Sequence, residues 1–285
     1  MKNRQKNREI SFCRLGAVLL LCALLLSGCG AAGWEYRPIT DVSDLEGRRV
    51  GVNLAWEADY YLTGREDMEL YRYDTTADMI LALGYDKVDA LAMDGLMWKM
   101  MQNQSSGLEA VEPAFGETGY VLYFGPEREE LAEDFNAFLA EYKQTEEYRD
   151  FLEREAAFDG IDYVGPEIPA CTSGPILRIA VLGESFPRSF FDPGERVPVG
   201  FDMEAVRRYA LARGCQVEYF NSTYDDLIIG LMNGLYDAAV GYLSDVYAEE
   251  VLAAGMYVSD SMDDTPMYFV QKTRQDISVE LDELE

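Results

Sequence analysis

Acidic and aromatic side chains stand directly after several segments that read as buried strands. Asp94 ends one such segment, Trp56 and Glu57 follow a second, and Ser244 and Asp245 follow a third. Open α/β sheets bind ligands beyond the carboxyl ends of their strands, so these residues are candidates for a binding site. A set dominated by carboxylates favours an amine or another cation as the ligand.

The residue types that the chain lacks narrow its chemistry. Histidine is absent, which excludes Ser/His/Asp and Cys/His catalysis and any zinc site that uses histidine. We therefore expect a protein that is not an enzyme and that holds no metal and no cofactor. Cys171 and Cys215 flank two predicted strands, where they either form a disulfide at one sheet edge or stay as two buried thiols.

The chain of 285 residues is 48% hydrophobic, which is typical of a globular protein with a real core. Its 24 basic and 52 acidic residues give a formal net charge of −28. A field of that sign repels nucleic acid and anionic lipid, so we expect neither a nucleic-acid partner nor a polybasic membrane contact.

The first residues have the layout of an export signal. Basic residues precede an apolar run, residues 15–26, that ends in Leu-Ser-Gly-Cys, and the run is too short to span a bilayer comfortably. This end resembles a bacterial lipobox, which implies a lipoprotein signal peptide at 1–28, lipidation of Cys29 and an anchor on the extracytoplasmic face of the cell membrane. The alternative is an uncleaved N-terminal anchor. In both cases we expect residues 29–44 to form a linker.

Short β-rich runs alternate with amphipathic helices, which predicts an α/β fold of two Rossmann-like lobes with mostly parallel sheets. The predicted elements of the first half are strands 48–53, 69–73 and 88–94 and helices 58–63, 76–84 and 95–104. Those of the second half are strands 176–181, 216–221 and 238–243 and helices 201–213 and 224–233.

One spacing recurs in the two halves. Ile80-x-x-Leu83-x5-Asp89-Ala90 matches Ile228-x-x-Leu231-x5-Asp237-Ala238, and each places an apolar helix face before a buried strand. The match is either general α/β patterning or the mark of two related lobes. Between the halves lie two amphipathic helices at 128–157 and a glycine- and proline-rich linker at 158–175.

The second half, from "LRIAVLGESFPRSFF" to "DLIIGLMNGLYDAAVGYL", resembles the first lobe of family 3 solute-binding proteins, the amino-acid receptors of ABC importers. The first half, "LEGRRVGVNLAWEADYYL" onward, resembles that family's second lobe. We therefore expect a type II periplasmic-binding-protein architecture, with a second-lobe-like domain at 45–118, a first-lobe-like domain at 119–285, and hinge segments at 119–125 and 266–272. The swapped order indicates a circular permutation or, alternatively, a fragment of a tandem array.

The resemblance also implies roles for the candidate residues. Asp94 matches the family position that receives the ligand's ammonium group, and a helix N-cap is the alternative role. Trp56 and Glu57 stand where the family has a small turn, and Trp56 either contacts a ligand or packs on its own lobe. The other positions that the resemblance assigns to the ligand are Phe186, Arg188, Ser189, Tyr242, Ser244 and Asp245.

The family arginine that holds a ligand carboxylate is missing from the loop after strand 238–243. Either Arg188 replaces it or the ligand is not a standard amino acid. The resemblance thus implies a monomeric, lipid-anchored receptor that delivers a small amine-bearing solute to an ABC permease by hinge closure. The alternatives are a ligand sensor or degenerate scaffold that does not transport, and a dehydratase-like enzyme on the same fold.

Overall fold

A computed structural model describes residues 37–104 and 107–273 of the chain. The fold given below is that of the compact unit that begins at Pro38. The predicted signal peptide and the lipidation of Cys29 lie outside the described residues and stay predictions. No helix within the described residues is long and apolar enough to cross a membrane.

The strands alternate with helices along the chain, as the periodicity predicts. The strands are β1 (Arg49–Asn53), β2 (Glu69–Tyr73), β3 (Ala90–Asp94), β4 (Leu108–Tyr120), β5 (Tyr123–Phe124), β6 (Ile176–Val181), β7 (Glu184–Ser185), β8 (Ser189–Phe190), β9 (Gln216–Asn221), β10 (Ala238–Val240), β11 (Tyr257–Val258) and β12 (Asp263–Lys272). The helices are α1 (Glu57–Leu62), α2 (Thr76–Gly84), α3 (Gly95–Gln104), α4 (Glu129–Tyr142), α5 (Glu146–Ala157), α6 (Phe201–Arg213), α7 (Tyr224–Met232) and α8 (Ala248–Ala253). Two 3₁₀ helices span Val42–Leu45 and Asp245–Tyr247.

The described residues form two five-stranded sheets with equivalent strand orders, β2-β1-β3-β12-β4 and β9-β6-β10-β5-β11. In each sheet the first three strands are parallel, the fourth runs against them, and the fifth reverses again. Four of the five described strands in each sheet therefore share one direction. The expectation of two α/β lobes with mostly parallel sheets is confirmed.

The antiparallel strand of each sheet directly follows a strand of the other lobe along the chain: β12 follows β11, and β5 follows β4. β12 completes the sheet of β1 to β4, and β5 completes the sheet of β6, β9, β10 and β11. We call the lobe of β1 to β4 and β12 the N-lobe and the other the C-lobe. The sequence placed the hinge segment 266–272 in the second domain, whereas Asp263–Lys272 pairs with β3 and β4 in the N-lobe sheet.

The predicted linker 29–44 is also ordered in its described part. Ile39 exchanges two backbone hydrogen bonds of 2.7 Å with the side chain of Gln271 in β12, and Ile39 and Leu45 are buried in the N-lobe core. The chain therefore joins the N-lobe before β1 begins. This packing escaped prediction because the apolar residues of the segment are too few to show a period.

The recurring spacing marks a repeated structural unit. Asp89 accepts hydrogen bonds from the Arg49 backbone N–H at 2.9 Å and from its guanidinium Nη2 at 2.7 Å. Asp237 does the same for Arg178 in the C-lobe, with both distances at 2.8 Å. Each aspartate thus ties the start of a buried strand to the neighbouring parallel strand, β1 in one lobe and β6 in the other, because it satisfies a backbone donor and a charged side chain together. The two lobes are built on one plan.

Threonine caps the equivalent helix of each lobe. The Thr75 hydroxyl accepts a hydrogen bond from the Asp78 N–H at 3.1 Å at the start of α2. The Thr223 hydroxyl accepts one from the Asp226 N–H at 3.3 Å at the start of α7. Each cap satisfies a donor that the first helical turn leaves free.

We expect Thr75→Ala and Thr223→Ala each to lower the free energy of unfolding by about 1 kcal/mol, because each removes one N-cap. Urea denaturation measures both values. Thr172→Ala, at another exposed threonine, is the matched control and should change little. A difference of several-fold between the two cap variants would contradict the equivalence of the lobes.

Cys171 and Cys215 are free thiols in the structure, and both line a cavity beside β9. The sequence allows either a disulfide or two thiols at these positions, and the structure has the two thiols.

Candidate functional site

The two lobes touch along the side where α1 faces the segment that follows β10. The Tyr247 hydroxyl donates a 2.6 Å hydrogen bond to the carbonyl of Ala55, and the Tyr60 hydroxyl donates one of 3.3 Å to Glu250. The rings of Tyr60 and Tyr247 meet edge to face with centroids 5.2 Å apart. These contacts bring the carboxyl ends of the strands of both sheets together, so the lobes are closed on each other.

Asp94 lies at the end of β3 and is 3% exposed. Its Oδ1 accepts hydrogen bonds from the N–H groups of Leu96 at 2.8 Å and Met97 at 3.1 Å, so the N-cap role is present. Burial raises the pKa of the Asp94 carboxyl, and these N–H groups and the charge of Arg188 offset part of the increase. Contact with a ligand, the other role that the sequence proposed, stays a prediction.

Glu57 is the first residue of α1 and is 6% exposed. Burial, and then the negative charge of Asp94, raises the pKa of Glu57 to about 8. The charge of Asp245, from the C-lobe, raises it further, whereas Arg188 lowers it. Both carboxyls are buried and the charge of Asp94 opposes ionisation of Glu57, so we call Glu57 and Asp94 the buried acidic pair.

Two tyrosines face this acidic pair, and sequence reasoning named one of them. Tyr120 is fully buried at the end of β4, and its ring meets that of Tyr242 at 90° with centroids 5.4 Å apart. Neither hydroxyl has a hydrogen-bond partner among the described residues. Burial, and then the charge of Asp94, raises the pKa of both hydroxyls. Buried hydroxyls normally find partners, so the pair is equipped to bind something further.

Trp56 lies at the rim of this region. It is 39% exposed, and its ring centroid lies 6.3 Å from that of Tyr242 in the other lobe. Trp56 therefore packs across the lobe junction rather than on its own lobe alone.

The sequence leaves open whether Arg188 replaces the family's carboxylate-binding arginine. It is fully buried, and its Nη1 donates to Asp263 at 2.7 Å and to Asp202 at 3.0 Å. Its Nη2 donates to Asp263 at 2.7 Å, to Thr265 at 2.8 Å and to Glu155 at 3.0 Å. The terminal nitrogens of the guanidinium are thus occupied by side chains of the protein itself.

The same guanidinium contacts both segments that cross between the lobes. Its Cζ lies 3.6 Å from the ring centroid of Tyr120, where β4 ends, and its fork binds Asp263, where β12 begins. Tyr120 and Asp263 are themselves paired across the ladder. We call Arg188 with Asp202, Asp263 and Glu155 the hinge cluster, because it fixes both crossing strands at one point.

The remaining candidates take local roles. The Ser189 hydroxyl donates to the Leu182 carbonyl at 2.7 Å, and Ser244 exchanges a 2.8 Å hydrogen bond with Thr118 of the N-lobe. Asp245 accepts a 3.1 Å hydrogen bond from the N–H of Gly119. Ser244 and Asp245 therefore bind the end of β4 across the lobe junction, whereas Ser189 acts within its own loop.

Phe186 packs among aromatic side chains rather than at the acidic pair. Its ring centroid lies 5.0 Å from that of Phe190 and 5.9 Å from that of Phe158. The surrounding cluster includes Leu96 of α3, so the packing spans the two lobes.

Sequence reasoning missed Tyr120 and the three acidic partners of Arg188. Tyr120 lies inside the predicted hinge segment 119–125, but nothing local marks it as a site residue. Glu155, Asp202 and Asp263 come from three separate segments, and each reads as an ordinary helix or strand-end carboxylate. The local signal is that Asp202 stands between the apolar residues Phe201 and Met203 in the first turn of α6.

No protein-family model matches the chain, and no curated protein matches it. The chain is similar to the solved structure of a probable amino-acid ABC transporter extracellular-binding protein from Bacillus subtilis, at 8% identity and a TM-score of 0.43, covering 81% of this chain and 86% of that one. It is also similar to the ligand-binding component of an ABC-type import system from Staphylococcus aureus, solved with zinc bound, at 8% identity and a TM-score of 0.41. That match covers 80% of this chain and 66% of the other.

An ancestral amino-acid-binding protein, a precursor of cyclohexadienyl dehydratase, matches at 12% identity and a TM-score of 0.38, covering 80% of this chain and 82% of that one. These structures include amino-acid-binding and import proteins of the class that the sequence resembles. At such identities and TM-scores, however, the likenesses say nothing about what this chain binds.

Proposed function

We propose that the protein is a solute receptor of the family 3 type, which closes its two lobes on a small amine-bearing solute. One observation carries the proposal: the buried acidic pair of Glu57 and Asp94 lies at the junction of two lobes, beside two buried tyrosine hydroxyls that have no partner within residues 37–104 and 107–273. A ligand ammonium would supply both the missing charge and the missing hydrogen bonds. Charge-assisted hydrogen bonds of this kind are among the strong ones.

The connection between the lobes supports binding by closure. Two strands cross between the sheets, and both pass the hinge cluster around Arg188. A hinge of this kind lets the lobes separate to admit a solute while each sheet stays intact. The contacts of Tyr60 and Tyr247 across the junction would then form on closure.

The cellular role rests on the first residues and on the order of the two halves. The export layout of residues 1–28 and the cysteine that follows support a lipid anchor on the extracytoplasmic face of the bacterial membrane. In that position the receptor would deliver its solute to an ABC permease. The equivalent strand orders of the two lobes are compatible with a circular permutation, which remains part of the proposal.

A thermal-shift assay with a panel of small amines and amino acids tests the proposal. A true ligand at one hundred times its Kd stabilises the protein by about 2.7 kcal/mol. We expect Asp94→Asn to abolish the shift, because the amide cannot balance an ammonium charge. The matched control is Asp150→Asn, which removes an exposed carboxylate of α5 and should leave the shift unchanged.

A panel in which no member raises the melting temperature of the wild-type protein would contradict the receptor role. A shift that survives Asp94→Asn at full size would place the ligand elsewhere. Turnover of a cyclic acid by the wild-type protein, lost in Glu57→Gln, would instead favour the dehydratase-like alternative.

One observation favours a second candidate, a ligand sensor or scaffold that does not transport. Arg188 binds carboxylates of the crossing strand β12 and of the helices α5 and α6, and it stacks on Tyr120 of the other crossing strand, which would hold the lobes together without a solute. Under this alternative the lobes stay closed in the unliganded protein. The panel would then produce no shift.

A further inference from the structure

We propose that the site selects amines that carry no carboxylate, such as a decarboxylated amino acid or a diamine. The inference rests on the proposed function and names the ligand class of the same site. It starts from two features of the lobe junction: both terminal nitrogens of Arg188 are occupied by side chains, and the hydroxyls of Tyr120 and Tyr242 have no partner among the described residues.

The first step concerns what could balance a ligand carboxylate. Arg188 is a basic residue whose charge lowers the pKa of both Glu57 and Asp94. Its Nη1 and Nη2 together make five hydrogen bonds to Asp202, Asp263, Glu155 and Thr265. A guanidinium that already faces three acidic side chains has no net positive charge to offer, so a carboxylate brought here would be buried without a partner.

The second step concerns the field at the junction. Glu57 and Asp94 contribute acid from the N-lobe, and Asp245 contributes it from the C-lobe. The ligand's own carboxylate would add a further negative charge to this set. Like charges repel strongly where they are buried, as Glu57 and Asp94 are, whereas an ammonium or guanidinium is attracted by each carboxylate of the set that is ionised.

The third step concerns the groups that still need partners. The hydroxyls of Tyr120 and Tyr242 and the Nε of Arg188 are buried and find no partner in the part of the chain that the structure describes. Tyrosine hydroxyls can accept hydrogen bonds from an ammonium group, and tyrosine rings attract cations through their faces. Nε–H can donate to a neutral oxygen or to a second acceptor of the ligand. These groups suit a cation with at most neutral polar substituents.

Matched ligand pairs that differ by one carboxylate test the inference. Isothermal titration of the chain from residue 30 onward would compare agmatine with arginine, cadaverine with lysine, putrescine with ornithine, and tyramine with tyrosine. We expect at least one amine to bind at least tenfold more tightly than its parent amino acid. In that pair Glu57→Gln should reduce the ratio of the two affinities at least tenfold, whereas Glu153→Gln, an exposed residue of α5, should not.

Each outcome separates the two proposals. Amino acids that bind as tightly as their amines, or more tightly, would overturn the selection against carboxylates and leave the receptor role standing. Binding by neither member of any pair would overturn the receptor role, and the ligand class with it. An amine preference that Glu57→Gln leaves unchanged would place the selectivity outside the acidic pair and overturn the inference.

Discussion

Arg188→Met is expected to lower the free energy of unfolding by about 3–5 kcal/mol, because it leaves buried carboxylates without their cation. Methionine fills much of the volume of the arginine stem, so the loss is chiefly electrostatic rather than a cavity. Asp202, Asp263 and Glu155 would then face one another at the point where both crossing strands pass. Urea denaturation at pH 8 measures the loss.

A double-mutant cycle guards against the chance that Arg188→Met fails to fold for another reason. Asp263→Asn removes the carboxylate that binds the guanidinium through both oxygens. If the cluster is held by charge, Arg188→Met combined with Asp263→Asn should be less destabilised than the sum of the single variants. Strict additivity of the two effects would contradict the pairing.

The same variant should loosen the hinge. Because the guanidinium stacks on Tyr120 and binds Asp263, it holds the two crossing strands against each other. Removing it leaves the antiparallel ladder of β4 and β12 but not the side-chain bridge. Faster hydrogen exchange in residues 120–123 and 259–263 than in the centre of either sheet would accompany the loss of stability.

Much of the fold could be predicted from the sequence, because local apolar periodicity fixes an element before any long-range contact is known. The helices Thr76–Gly84 and Phe201–Arg213 and the strands Glu69–Tyr73 and Ile176–Val181 have the predicted bounds. The two helices follow a threonine cap, Thr75, and a glycine, Gly200, which mark where each helix begins.

The strands that cross between the lobes could not be predicted in this way. β4 contains Pro113 and Gly116, which break its alternation and read as a loop. It forms a strand because β12, more than 140 residues later along the chain, pairs with it. Strand formation there depends on a partner distant in sequence, so local propensity gives no signal.

The residues of the candidate site also differ in whether the sequence alone predicts their positions. Glu57 and Asp94 follow strands of one sheet, so the rule of carboxyl ends brings them together from sequence alone. The role of Arg188 depends on carboxylates at positions 155, 202 and 263, which approach one another only when α5, α6 and β12 are assembled. A basic residue near a presumed cleft is therefore no guide to whether its charge is available to a ligand.

Glu57→Gln is expected to stabilise the unliganded protein at pH 8, by an amount on the order of 1–3 kcal/mol. Burial, Asp94 and Asp245 raise the pKa of Glu57 from an ordinary value of 4.5 to about 8, and Arg188 and the Glu57 N–H offset only part of this. The native protein thus keeps a proton that the unfolded chain has lost between these values. The stability from this group is complete below about pH 4.5 and is lost as the pH rises through about 8.

Glutamine imitates the protonated acid at every pH, so the variant should lose the part of the pH slope that Glu57 contributes. Urea denaturation at pH 5, 6.5 and 8 would show wild-type stability falling more steeply than that of Glu57→Gln, and Glu153→Gln should keep the wild-type slope. The variant should bind amines more weakly over the same range, because it has lost the carboxylate that an ammonium would ionise and pair with. Equal slopes for wild type and Glu57→Gln would mean that Glu57 is already ionised in the native state. Another group of the protein would then neutralise its charge, and the acidic pair would not need a ligand cation. A gain in stability together with a loss of affinity for amines is the result expected if the Glu57 carboxyl destabilises the free protein and binds the ligand.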